Sequence, residues 1–75
     1  MKVRRGNLIR LRQTRGWSVR HLASLAGLQY KTIYDVERGT ITNPQPKTVK
    51  ALADALGVEM DEIAEVGLPD ESVSA

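Results

Sequence analysis

The stretch LASLAGLQYKTIYDVERG, Leu22 to Gly39, decides the fold. It reads as helix, glycine, helix. Leu22, Ala23, Leu25 and Ala26 recur at helical spacing before Gly27, and Ile33 and Val36 recur after it. Glycine reaches the left-handed conformation without a Cβ clash, so Gly27 suits a tight turn between the two halves. If Ile33 and Val36 point inward, Tyr30, Lys31, Tyr34, Asp35 and Arg38 must point outward. A helix this short that turns tyrosines, a lysine and an arginine to solvent asks for a partner.

Working outward, a first helix is expected from about Arg5 to Arg15, with Leu8 and Leu11 inside, Ile9 beside them, and Gly16 as its stop. Ser18 is a strong N-cap for the second helix, because its hydroxyl accepts an orphan backbone N–H. Trp17 before the cap and Leu22 four residues after it form a hydrophobic staple. His21 occupies the position where a full capping box would place Glu or Gln. The third helix covers roughly Tyr30 to Arg38, and Gly39 stops it. Residues 40–46 carry two prolines among polar residues and read as a loop. Pro46 opens a fourth helix, where its missing N–H is not needed. Val49, Leu52, Ala53 and Leu56 face inward along it, and Gly57 ends it. A short fifth helix is expected over about Met60 to Glu65, with Ile63 inward. No run alternates with period two, so no strand is expected. Residues 1–66 read as one domain and 67–75 as a frayed acidic tail.

Charge is polarised along the chain. Residues 1–50 hold all eleven Lys and Arg against two acids, Asp35 and Glu37, a net +9. Residues 51–75 hold seven acids and no base, a net −7, which leaves +2 overall. Such a chain suggests a polyanionic partner at its basic end, or simply a solvated dipolar surface. There is no cysteine, so disulfides, thiolate metal sites and thiol catalysis are excluded. No apolar run approaches the roughly 18 residues of a membrane span. The basic N-terminus lacks the apolar core of a secretory signal, and a cytoplasmic, nucleoid-associated protein is expected. His21 is the sole histidine, and a metal or catalytic role would need companions. Neither a cofactor nor a metal is expected, and an enzyme is not.

The ordered elements LR before RGWS, LA with AG four residues on, Ile33, Glu37 and Gly39 in the next helix, and then LADALGV resemble the XRE family of helix-turn-helix domains, the phage-repressor and Cro type. The resemblance runs from about Asn7 to Ile63. It implies an all-α, five-helix, lambda-repressor-like domain whose second and third helices form the DNA-binding unit. In that geometry the later helix enters the major groove and the earlier one crosses the backbone.

On this footing Gln29, Tyr30, Lys31, Tyr34 and Asp35 are the candidate base-contacting residues. Lys31 suits guanine O6 and N7, although an i,i+4 pair with Asp35 competes. Tyr34 either contacts sugar-phosphate or packs on Tyr30. Asp35 suits a cytosine amino group but repels phosphate. Gln29 stands where the family usually has a Ser or Thr cap, and either caps weakly or reaches DNA. Arg20, Arg38, Thr42, Asn43, Lys47 and Lys50 are the candidate phosphate contacts. The family often places glutamine where Val19 stands, which leaves Arg20 to replace that contact. Arg12 and Glu37 match a family ion pair that holds the recognition helix at a set angle. Lys2, Arg4 and Arg5 form either a flexible arm or a solvated end.

The expected partner is therefore double-stranded DNA, bound as a homodimer at a palindromic operator, with no membrane and no small-molecule ligand. The expected role is a transcriptional regulator, with repression by operator occupancy favoured. Met60, Ile63, Val66 and Leu68 are candidates for the dimer surface. Two alternatives use the same fold: a protein-interaction module (an adaptor or antirepressor), suggested by Val19, Gln29 and Asp35, and the antitoxin of a toxin–antitoxin pair. The acidic end is either solvated or a shield for the basic face.

Overall fold

Helical periodicity places one aliphatic stripe on each of four helices, and those stripes meet in a single core. A computed structural model describes residues 1–65. The helices are α1 (Arg5–Thr14), α2 (Val19–Ala26), α3 (Tyr30–Arg38) and α4 (Pro46–Leu56). Leu8, Leu22, Ile33, Val36, Val49 and Leu52 are completely buried, with Ala53, Leu56 and Ile63 nearly so. Each such side chain is worth about 1.5–3 kcal/mol relative to exposure, which is the main favourable contribution in a chain this small.

Local signals explain the helix ends. The Ser18 hydroxyl accepts the His21 N–H at 3.0 Å, and half-buried Trp17 precedes buried Leu22 as the staple requires. Gly27 takes φ +69°, and the turn closes with Leu28 N–H donating to the Ala23 carbonyl at 2.9 Å. Pro46 stands at the first turn of α4.

Leu25 departs from the expected apolar side of α2: it is 51% exposed. At 3.6 residues per turn it lies roughly 110° round from the middle of the arc formed by Val19, Leu22, Ala23 and Ala26. The core reaches that arc and stops short of Leu25.

The expected fifth helix does not form. Met60–Glu62 is a single 3-10 turn, closed by a capping box between Glu59 and Glu62. Residues Ala64–Glu65 then extend as β2 and pair antiparallel with β1, Lys2–Val3, in the register Lys2 to Glu65 and Val3 to Ala64. A segment this short gains too few helical hydrogen bonds to offset nucleation, whereas the N-terminal backbone supplies ready partners. Arg4 N–H donates to the Ile63 carbonyl at 2.8 Å and Val3 N–H to the Thr42 carbonyl at 3.3 Å. The Asn7 amide adds a bond to the Glu62 carbonyl at 2.9 Å. Lys2 and its neighbours are therefore no free arm. Strands of two residues leave no period-two trace, which is why the sequence shows none.

Ile63, a candidate for a dimer surface, is 1% exposed and belongs to the core. Met60 is half-buried against it. Val66, Leu68 and the expected tail over residues 67–75 lie outside the described residues. Ile63→Ala should lower stability by about 2–5 kcal/mol in urea denaturation, the usual loss for a buried aliphatic truncated to a methyl. A role at a subunit surface would instead leave the monomer's unfolding midpoint unchanged and shift its association.

Candidate nucleic-acid interface

The site is built on α3, whose inner and outer faces are separated by burial. Ile33 and Val36 show no exposed surface, while Tyr30 and Tyr34 are 46% and 45% exposed. Lys31 and Arg38 are exposed beside them and Asp35 is half-buried. Ala23, 3% exposed, lies in the part of α2 packed under this helix, where a larger side chain would push the two apart. Gln29 is the N-cap of α3 and makes no side-chain capping bond, so its exposed amide is left to other partners.

A bidentate ion pair fixes the far half of α3. Arg12 Nε donates to Glu37 Oε2 at 2.7 Å and Nη2 to Oε1 at 2.9 Å. Arg12 Nη1 also donates to the Trp17 carbonyl at 2.7 Å. One planar guanidinium thus joins α1, the residue before the α2 cap and the end of α3. The fork geometry makes this directional in a way aliphatic contacts are not.

The outer face carries two arginine–tyrosine stacks. Arg20, exposed in the first turn of α2, sits 4.4 Å above the Tyr30 ring. Arg38 lies 5.2 Å from the Tyr34 ring and donates to its hydroxyl at 3.3 Å. Tyr34 thus packs on Arg38, and no Tyr30–Tyr34 ring pair occurs among the described residues. Lys31 Nζ pairs with Asp35 at 3.1 Å, so the ammonium and the carboxylate occupy each other in the free chain.

After α3, Thr42, Asn43 and Lys47 are exposed. Lys50 is exposed too, but its ammonium reaches Asp54 at 3.2 Å, one helical turn on. Val19 is half-buried against the core and offers no polar group. His21 is exposed and packs its ring on Trp17, 5.2 Å between centroids. No group of metal-ligating side chains occurs among the described residues. No helix among them is long and apolar enough to cross a membrane.

Sequence reasoning missed Arg15. Its guanidinium donates to the Leu11 carbonyl at 2.9 Å and to the Leu56 carbonyl at 2.7 Å. It therefore closes the C-terminal end of α4, where a cation also suits the helix dipole. The two positions are 41 residues apart, and nothing local to either one announces the contact. Lys2 and Arg5 were also missed as neighbours of Arg38, because the ribbon that brings them there has no sequence signature.

Two helices joined by a glycine turn, the second offering hydrogen-bonding and cationic side chains from a face braced by the core, define a helix-turn-helix DNA-binding domain. The sequence pattern described as helix-turn-helix matches residues 8–63. The chain belongs to this family, in its XRE type, a class of DNA-binding transcription regulators. Among solved structures it is similar to the restriction-modification controller protein C.AhdI from Aeromonas hydrophila. The two share 36% sequence identity with a TM-score of 0.73, over 77% of this chain and 86% of that one. A search of curated protein sequences finds no match.

Glu37→Ala should destabilise the domain by about 3–5 kcal/mol, since it strands a mostly buried guanidinium. Replacing both partners, Arg12→Met with Glu37→Leu, should cost less than the single change. Chemical denaturation of the two variants measures this. Equal losses in single and double variants would show that the pair has no such coupling.

Proposed function

We propose that this chain is a sequence-specific regulator that lays α3 in the major groove of a palindromic operator and binds there as a homodimer. The observation that supports this reading is the division of α3: Ile33 and Val36 are locked inside while Tyr30, Lys31, Tyr34 and Arg38 face solvent together. The groove admits a helix of this width, and those side chains match what it presents. Lys31 meets guanine O6 and N7 after releasing Asp35, a pair worth only about 0.2–0.5 kcal/mol. The carboxylate freed by that exchange accepts from a cytosine amino group. Tyr30 and Gln29 read bases at the start of the helix, and Tyr34 lies one turn further along.

Arg20, Arg38, Thr42, Asn43, Lys47 and Lys50 hold phosphates on either side. These contacts orient the helix without specifying sequence. Arg20 takes the phosphate role that Val19 cannot fill, and the N-terminal end of α2 behind it favours an anion. One small domain offers few base contacts, so two-fold pairing on two half-sites is the economical arrangement. The relation to a restriction-modification controller protein supports a regulatory role. Occupying the operator excludes polymerase, which makes repression the simplest outcome.

Selection of bound duplexes from a random DNA pool tests the reading, because it yields both the half-site and its spacing. Enrichment of an inverted repeat is expected, and a pool that stays random would overturn the proposal. With about six phosphates neutralised, log K should fall against log[salt] with a slope of roughly −5. A flat salt response in mobility-shift titrations would remove the phosphate contacts. Lys31→Ala should relax preference at one base pair and cost about 1–3 kcal/mol on the selected site. Competition between the selected duplex and one changed at that base pair reads this directly.

A further inference from the structure

A cleft of about 250 Å³ opens where β1 passes the C-terminal end of α3. Lys2, Arg5, Arg38 and Thr42 line it, with Val3 and Ile41 among its apolar walls. Among the described residues, no carboxylate lines it. Among the described residues, the ion pairs are Arg12–Glu37, Lys31–Asp35 and Lys50–Asp54, and none involves the cations of this cleft. Glu65 stands opposite Lys2 in the ribbon register, yet no ion pair forms between them.

The three cations are brought together by backbone, not by one another. Arg38 belongs to the last turn of α3, where the helix dipole favours a positive charge. Lys2 and Arg5 come from the other end of the chain, delivered by β1–β2 pairing and by the Arg4-to-Ile63 and Val3-to-Thr42 hydrogen bonds. Gly39 lets the Arg5 guanidinium lie directly over the turn: a Cβ there would collide with Arg5 Nη1 and stand 3.1 Å from Cζ. Gathering like charges in one cleft is unfavourable without an anion between them. Two guanidinium forks, an ammonium and the Thr42 hydroxyl supply donors that suit the several oxygens of a phosphate.

We infer that this cleft seats a backbone phosphodiester of the bound duplex, so that the N-terminal segment is a fixed DNA contact. The inference rests on the proposed function and deepens it. Arg38 and Thr42 connect the cleft to the outer face of α3 and to the loop after it. The seated phosphate lies past the C-terminal end of α3, on the flank away from Arg20, and lengthens the footprint there. It carries no sequence information of its own.

The test measures binding of the full chain to the selected duplex and to a random duplex over a salt series. The double variant Lys2→Gln with Arg5→Gln should lose affinity for both duplexes alike, by about eightfold at 0.1 M salt for one phosphate released. Its salt slope should become shallower by about one unit. Arg5→Lys keeps the charge and should keep the slope, which a purely structural role for the guanidinium over Gly39 would not predict. Amide resonances of Lys2, Gly39 and Thr42 in the unmodified chain should also shift on adding duplex, a reading independent of how the variant folds. Wild-type affinity and slope in the double variant, or amides that ignore the duplex, overturn the inference while leaving α3 recognition intact. Saturable binding of inorganic phosphate combined with unchanged DNA binding in the variant marks a small-anion site and overturns it too. An unmodified chain that binds no duplex sinks both readings.

Discussion

The outer face of α3 exists because Ile33 and Val36 hold the inner one with no surface left in water. Two buried aliphatic side chains contribute about 3–6 kcal/mol together, but that attraction is non-directional. It decides which face points out and leaves the tilt of the helix loose. The tilt falls to Arg12, whose planar fork reaches both Glu37 oxygens and the Trp17 carbonyl. Desolvating both charges offsets much of their attraction, so the pair is better understood as a device of position than of stability. Energy and angle thus come from different residues. Tyr30, Lys31, Tyr34 and Arg38 belong to neither set and stay exposed on the outer face.

The outer face is partly organised in the free chain. Each tyrosine ring carries a guanidinium, Arg20 on Tyr30 and Arg38 on Tyr34. Exposed stacks of this kind are worth about 0.5–1 kcal/mol, comparable to the roughly 0.5–1.5 kcal/mol it costs to immobilise a long side chain on binding. Pre-stacking therefore removes a part of that cost before a duplex arrives. The Arg20–Tyr30 stack also links the two helices of the motif across the turn, which sets both side chains in one frame. Lys31 differs: it carries no ring and instead pairs with Asp35, an i,i+4 contact of the kind that contributes little to stability.

The β1–β2 ribbon is too small to stand by itself, since two residues per strand give little pairing energy. It persists because Ile63 and Ala64 are buried beside it and α1 begins directly after it. The core thereby ties both ends of the described chain to the loop after α3. The same arrangement moves Lys2 and Arg5 from a notional arm to a defined place near Arg38, and so extends the basic surface.

Much of this was legible in residues 5–57. Apolar spacing, Ser18, Pro46 and the glycines after α2, α3 and α4 specify four helices and their ends, because each signal acts within a turn or two of its own position. The outward turn of Tyr30, Lys31, Tyr34 and Arg38 followed from Ile33 and Val36 alone, whereas Asp35, expected among them, is half-buried. The sequence could not show that Leu25 falls outside the core's reach, because that depends on where neighbouring helices stop. Nor could it show that Met60–Glu65 would be a 3-10 turn and a strand, since the competing hydrogen-bond partner lies more than sixty residues away. Arg15 on the Leu56 carbonyl and Arg5 over Gly39 are of the same kind. Local periodicity, capping and turn chemistry were written in the chain itself. Partners distant along the chain were decided only when the core closed, because packing alone brings them within hydrogen-bonding distance.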